Sequence, residues 1–381
     1  MRLLEIARLF FRFGFVALGG PAAHIAIMDD EFVERRQWVT RQHFLDLVGA
    51  TNLIPGPNST EMVMHLGYER GGFLGMIVAG VCFILPAAGL TGALAWAYVK
   101  YGALPAVEPF LIGIKPAVIA IILAALWKLG PKAAKGWRLG LVGASATVAS
   151  LLGTGEIVTL AVIGLLGTIW LHTSRSESAA AGVIVLLSQT KRHVFAAAAA
   201  TGAAASALSL TKLGLFFLKI GSILYGSGYV LIAFLEGGLV DEYGWLTKAQ
   251  LLDAVAAGQF TPGPVLTTAT FIGYVLMGWP GAGVSTLGIF LPSFLFVAVL
   301  NPIIPRLRKS QWSAAFLDAV NAAALGLMAA VLIELARSTL ITWQAALIAI
   351  ASAIAVFFLK INSAYLVLGG ALLGWLLYRL F

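Results

Sequence analysis

Residues 12–60 align without a gap onto residues 219–267, and 15 of the 49 positions are identical. Gly14/Gly221, Gly19/Gly226, Trp38/Trp245, Asp46/Asp253 and the turn Pro55-Gly56-Pro57/Pro262-Gly263-Pro264 are among them. The register then slips by one residue, and the match continues through Gly67-Tyr68/Gly273-Tyr274, Leu85-Pro86/Leu291-Pro292, Phe110-Leu111/Phe316-Leu317 and Trp137/Trp343. Nearly the whole chain is therefore two copies of one unit, at 1–172 and 212–381, joined by a connector at 173–211. Duplication on this scale limits the fold to two similar bodies packed about a pseudo-two-fold axis.

The solvent of that fold follows from composition. The chain is 60% hydrophobic and only 11% charged, with a mean hydropathy of +0.93, which excludes an ordinary soluble domain. Apolar stretches long enough to span a bilayer recur at 72–99, 103–127, 137–153, 156–172, 281–305, 313–336, 340–359 and 362–378, and 9–28 offers a further one. The reading is an all-α polytopic membrane protein embedded in the lipid bilayer, with about five transmembrane helices in each copy. The net charge of +8 does not point to nucleic acid, because Lys and Arg gather at helix ends, as the positive-inside rule requires. Trp96, Trp127, Trp137, Trp170, Trp343 and Trp375 fall at predicted helix ends, as in an aromatic belt.

Several classes of chemistry are excluded. The lone Cys82 allows no intrachain disulfide, and the five histidines lack metal-ligand spacing, so no metal is expected. There is no Gly-x-x-x-x-Gly-Lys-Ser/Thr loop, so no ATP or other cofactor is expected. No His/Asp/Glu constellation suggests an enzyme. The N-terminal stretch has arginines at 2, 8 and 12 but no small-residue cleavage site, so a removable signal peptide is not expected. A homodimer is compatible with the chain, which does not fix its oligomeric state.

Equivalent loops of the two copies differ in charge. Lys128, Lys132, Lys135 and Arg138 follow the third apolar segment of copy one, whereas the equivalent 334–344 has only Arg337, offset by Glu334. One helix earlier the imbalance reverses, with Lys100 in copy one against Arg306, Arg308 and Lys309 in copy two. Alternation of this kind is what inverted-topology repeats produce when each copy obeys the positive-inside rule.

Two places in each copy are expected to break the helix. The first is Gly19-Gly20-Pro21, matched by Gly226-Ser227-Gly228; proline removes a backbone donor, and glycine lowers the cost of non-helical backbone. The second is the Pro-Gly-Pro turn, flanked by arms at 42–54 and 58–70, and at 249–261 and 265–277. Thirteen residues of helix rise only about 20 Å, too short for a core of about 30 Å. A re-entrant hairpin that enters, turns at Pro-Gly-Pro and returns is the expected geometry. Such backbone is tolerated only against protein or a water-filled cavity.

The breaks suit an anion. Asn58 with Glu61 reads as a capping box, which aims the amides and positive dipole end of the following half-helix at the turn. Asn52, Ser59, Thr60, Gln259, Thr261 and Thr267 offer hydroxyls and amides around the two turns. Arg12 and Lys219 are repeat-equivalent cations, and Lys115 lies inside an apolar segment beside Pro116, where burial demands a partner or a wet cavity. His24 is read either as a satisfied core histidine or as a ligand. Asp46 and Asp253, on the arms entering the turns, are candidates for ion pairs with Arg12 or Lys219, or for coupling protons.

At these residues the chain closely resembles the chromate transporter family. The resemblance is carried by Phe13-Gly14 through Gly19-Gly20-Pro21-Ala22-Ala23-His24-Ile25, Glu31-Phe32-Val33, Arg35-Arg36-Gln37-Trp38, Phe44-Leu45-Asp46-Leu47 and Asn52-Leu53-Ile54-Pro55-Gly56-Pro57-Asn58-Ser59-Thr60-Glu61. Copy two adds Gly226-Ser227-Gly228-Tyr229-Val230 and Gln259-Phe260-Thr261-Pro262-Gly263-Pro264-Val265. It extends over nearly the full length and matches the long form with two fused halves. The resemblance implies an inner-membrane secondary transporter that exports chromate and confers resistance, with sulfate as the look-alike dianion. Membrane potential, with or without proton exchange, would drive it. Import of sulfate or another oxyanion, and an anion channel, are the alternatives. Carried over by motif, Gly19-Gly20-Pro21, His24, Arg35-Arg36 and Pro55-Gly56-Pro57 are the positions to test. Copy two departs at Ser227-Gly228 and at Leu231, in place of His24, so a single site would be asymmetric.

Overall fold

The computed structural model describes residues 2–17, 20–51, 54–104, 107–173, 208–225, 228–300 and 311–380, and every regular element among them is a helix. Gly19, Asn52, Gly226, Ser227, Arg306, Arg308, Lys309 and most of the connector lie outside these residues. Copy one contains α1 (Arg2–Val16), α2 (Gly20–Asp29), α3 (Arg41–Thr51), α4 (Asn58–Tyr101), α5 (Glu108–Ala133), α6 (Trp137–Leu151) and α7 (Glu156–Thr173). Copy two contains α8 (Leu210–Ile223), α9 (Leu231–Leu235), α10 (Lys248–Phe260), α11 (Thr268–Leu300), α12 (Gln311–Thr339), α13 (Trp343–Phe357) and α14 (Ser363–Leu380). Each helix of the first series has its counterpart seven numbers later.

The duplication extends to irregular backbone. A π-helical turn follows α2 at Asp30–Arg35 and α9 at Glu236–Glu242. Within α4, Gly71 (φ −138, ψ 15) and Gly72 (φ 64, ψ −155) break the helix; within α11, Met277 (φ −143, ψ 22) and Gly278 (φ 63, ψ −154) do the same. A left-handed φ costs glycine little, and both copies place glycine there. The kinks fall where the short arms were expected to end, so each long helix is a half-polar arm followed by an apolar segment.

The arms form the predicted hairpin. His43 Nε2, at the start of α3, lies 3.1 Å from the carboxylate of Glu69, at the end of the returning arm. The chain has therefore entered, turned at Pro55-Gly56-Pro57 and come back. The stretch 9–28 differs from a continuous crossing: α1 stops at Val16 and α2 restarts at Gly20, where Gly20-Pro21 withholds a donor and relaxes the backbone. The π-helical turn that follows α2 returns against α1, with Phe10 stacked on Phe32 at 5.1 Å and Arg36 3.5 Å from Glu5.

Contacts between equivalent helices give their direction. A Cβ on Gly80 would meet Phe294 at 2.6 Å, and one on Gly92 would meet Trp279 at 2.9 Å. Residue numbers rise along α4 as they fall along α11, so the apolar segments of these counterparts pack antiparallel, as inverted repeats require. The copies also interleave: α5 packs against α13 and α14, and α12 packs against α6 and α7. Small residues permit this, since a Cβ on Gly113 would fall 2.2 Å from the Gly370 carbonyl and one on Gly326 2.1 Å from that of Gly143.

Candidate functional site

Four backbone breaks meet through two reciprocal hydrogen bonds. The Gly56 amide donates to the Leu224 carbonyl at 2.7 Å, and the Gly263 amide donates to the Ala17 carbonyl at 2.8 Å. Leu224 follows α8, and Ala17 follows α1, its counterpart. Each Pro-Gly-Pro turn is thus pinned to the interrupted helix of the other copy. Gly56 (φ 141) and Gly263 (φ 93) both occupy conformations that favour glycine. Proline on either side removes amides that would otherwise need partners at this depth.

The two sides of the junction differ chemically. His24, buried, reaches the Ala17 carbonyl with Nε2 at 3.0 Å and packs against Phe13 and Phe83; Leu231 stands there in copy two. On one side Glu61 is fully buried, with Oε1 accepting from the Ser293 hydroxyl at 3.2 Å. On the other, the Thr91 hydroxyl lies 3.2 Å from those of Thr261 and Thr267. Buried polar atoms remain without a hydrogen-bond partner at Thr60 Oγ1, Glu61 Oε2, Gln259 Nε2 and His24 Nδ1. Unsatisfied buried polar groups in a native fold call for an explanation, and hydroxyl and amide donors at such positions suit an oxyanion.

The first turn of α4 departs from expectation. Pro57 occupies the cap position, where it makes no side-chain cap bond, and Asn58 is already helical. Glu61 therefore does not close a capping box with Asn58; it turns inward against Gly56 and Ser293. Ser59 is buried beside it.

Charged candidates separate into two groups. Lys115, on α5, lies 3.9 Å from Asp253 on α10, and the Tyr98 hydroxyl donates to the same carboxylate at 2.9 Å. Asp253 thus pairs with Lys115 rather than with Arg12 or Lys219. Arg12 and Lys219 lie on exposed faces. Ile6, Phe10 and Gly14 form the buried stripe of α1, and Arg12 is about 200° around the helix from Gly14. Asp46 is half-buried near Gln42, at 3.5 Å. Arg35 and Arg36 belong to an ion-pair network with Asp30, Glu31 and Glu5.

Sequence reasoning missed Tyr98, Thr91 and Ser293, because each meets its partner across the copy interface. It also missed a charge cluster whose signal was in the repeat. Asp29/Glu236 and Arg41/Lys248 are equivalent positions of constant charge sign, and both pairs form: Arg41–Asp29 at 3.0 Å and Lys248–Glu236 at 2.9 Å. Lys248 also reaches Glu334 at 3.0 Å. Burial pushes the Glu236 carboxyl up to about 7, against the opposing pull of Lys248.

An all-helical membrane protein of two inverted copies, with broken helices meeting between them, has the architecture of a secondary transporter. The chain belongs to the chromate transporter family, whose family model matches residues 4–209 and 211–375. A chromate transport protein of Cupriavidus metallidurans is 34% identical over 396 residues, which cover 99% of this chain and 94% of that protein. A probable chromate transport protein of Synechococcus elongatus is 32% identical, covering 89% of this chain and 86% of that protein. A chromate transport protein of Pseudomonas aeruginosa is 31% identical, covering 97% and 91%. No solved structure matches the chain.

Proposed function

We propose that this protein exports chromate across the cytoplasmic membrane by alternating access, driven by the membrane potential with protons as a second coupling ion, and so confers chromate resistance. The observation that carries the mechanism is the reciprocal pinning of the two Pro-Gly-Pro turns at Gly56–Leu224 and Gly263–Ala17. A pseudo-symmetric junction of broken helices is where repeats rock against each other around a bound ion. The substrate is that of the named relatives.

Direction follows from charge. A dianion leaving a negative-inside cell gains about 4.6 kcal/mol per 100 mV, at about 2.3 for each charge. Uptake of the same ion would require more than two accompanying cations. In this reading Thr60 and Gln259 donate to the oxyanion, Thr261 and Thr267 line its site, Lys115 supplies positive charge when released from Asp253, and the residues 1–172 and 212–381 act as the two moving repeats. Arg12 and Lys219 stand at the approach rather than at the junction.

Chromate flux into everted membrane vesicles tests the reading. Uptake should rise with an inside-positive potential, compete with sulfate and disappear with Pro55→Ala. Flux no greater than in vesicles lacking the protein would overturn it.

A further inference from the structure

We propose that Glu61 carries a proton together with the oxyanion. The site takes up its dianion only while the Glu61 carboxyl is protonated, so each transport event moves one net negative charge instead of two. The proposal rests on the transport reading above and deepens it: the proton moves in the same direction as the anion, not in exchange for it.

Three observations converge on this carboxyl. First, Glu61 is wholly buried, and among the described residues the only hydrogen bond to its carboxyl is the one from Ser293, leaving Oε2 with no partner. No lysine or arginine among those residues pairs with it. The groups facing it are neutral: Ser293 from α11, the Tyr225 phenol after α8, and the Gly56 backbone. His65 lies one turn further along its own helix, and His24 on α2 is held at Ala17. Second, the carboxyl is pressed against the turn itself, where a Cβ on Gly56 would fall 1.9 Å from Oε1. An anion bound at the turn would face that oxygen directly, and two like charges sharing a site disfavour each other until one is neutralised. Third, copy two has Thr267-Thr268 where copy one has Thr60-Glu61. The equivalent position thus holds a neutral hydroxyl donor, and a protonated carboxyl offers the same O–H.

The step balances without covalent chemistry. On the loading side the carboxylate takes a proton from water, and the resulting O–H donates to the anion. On the release side the anion leaves and the proton returns to water.

The reversal potential of chromate flux in proteoliposomes, at equal pH on both sides, reads the charge moved. One net charge gives about 59 mV per tenfold chromate gradient, and two give about 30 mV. The wild-type protein should show the former; the latter overturns the proposal. Glu61→Gln, which cannot release a proton, should shift the value to about 30 mV, and an unchanged 59 mV overturns it. Should Glu61→Gln carry no measurable flux, binding decides, measured in detergent over the alkaline range in which chromate is a dianion. Wild-type affinity should fall with rising pH while that of the variant stays flat; equal slopes overturn the assignment. A wild-type protein without any chromate flux would instead sink the transport reading, and this proposal with it.

Discussion

Gly263 has a φ of +93, and a Cβ there would lie 2.6 Å from that of Ala87. Both the backbone and the contact oppose a side chain, and holding a non-glycine residue in such a conformation costs about 1–3 kcal/mol. Gly263→Ala should lower the unfolding midpoint in detergent and abolish chromate flux; a variant with wild-type flux would show that the turn tolerates a different shape. Lys115 and Asp253 allow a sharper test. Removing one partner of a fully buried pair costs about 3–5 kcal/mol; Lys115 keeps 22% of its side chain exposed, so Lys115→Met and Asp253→Asn should each destabilise the protein by less than that. The double variant should be less damaged than the sum of the two, a coupling read by a double-mutant cycle. Strict additivity would mean that the 3.9 Å approach contributes nothing.

Among the elements, the hairpin arms were legible because their signals are local. Proline lacks an amide, glycine reaches positive φ, and half-polar arms of about 20 Å cannot cross the core. Those rules placed the arm ends at 70 and 277, beside the observed kinks at Gly71-Gly72 and Met277-Gly278. The capping box failed for an equally physical reason: Glu61 has a buried partner on α11, which outcompetes a local bond to its own helix end. The charge cluster at the start of α10 gives a pH prediction. Because the folded-state value for Glu236 is raised from 4.5 to about 7, its contribution to stability is complete below 4.5 and is lost as pH rises through about 7. The unfolding midpoint in detergent should therefore fall over that window, and Glu236→Gln should flatten the fall. A midpoint that rises over the same window in the wild-type protein would contradict the assignment.

For the molecule as a whole, inversion makes a prediction independent of any substrate. Lys135 and Ile341 are repeat-equivalent, and both are exposed at the loops following α5 and α12. In a Cys82→Ser background, Lys135→Cys should react with an impermeant maleimide from the cytoplasmic face and Ile341→Cys from the opposite face. Labelling of both from one side would exclude inverted copies. Coupling also belongs to this scale. With one proton per anion, export would draw about 2.3 kcal/mol from 100 mV rather than about 4.6, and an outside-acid pH gradient would oppose it.

The duplication, the membrane environment, the sites of helix breakage and the opposed charge of equivalent loops are written along the chain, because each depends on backbone chemistry or hydropathy within a few residues. Partners are not. Gly56 bonds Leu224, Glu61 meets Ser293, Thr91 meets Thr267 and Lys115 faces Asp253, each across more than a hundred residues and from one copy to the other. Only tertiary packing, such as that of α4 against α11 and of α5 against α10, brings such groups within hydrogen-bond or ion-pair reach. Low dielectric at that interface then strengthens each contact, so that a lysine beside an aspartate is held in place.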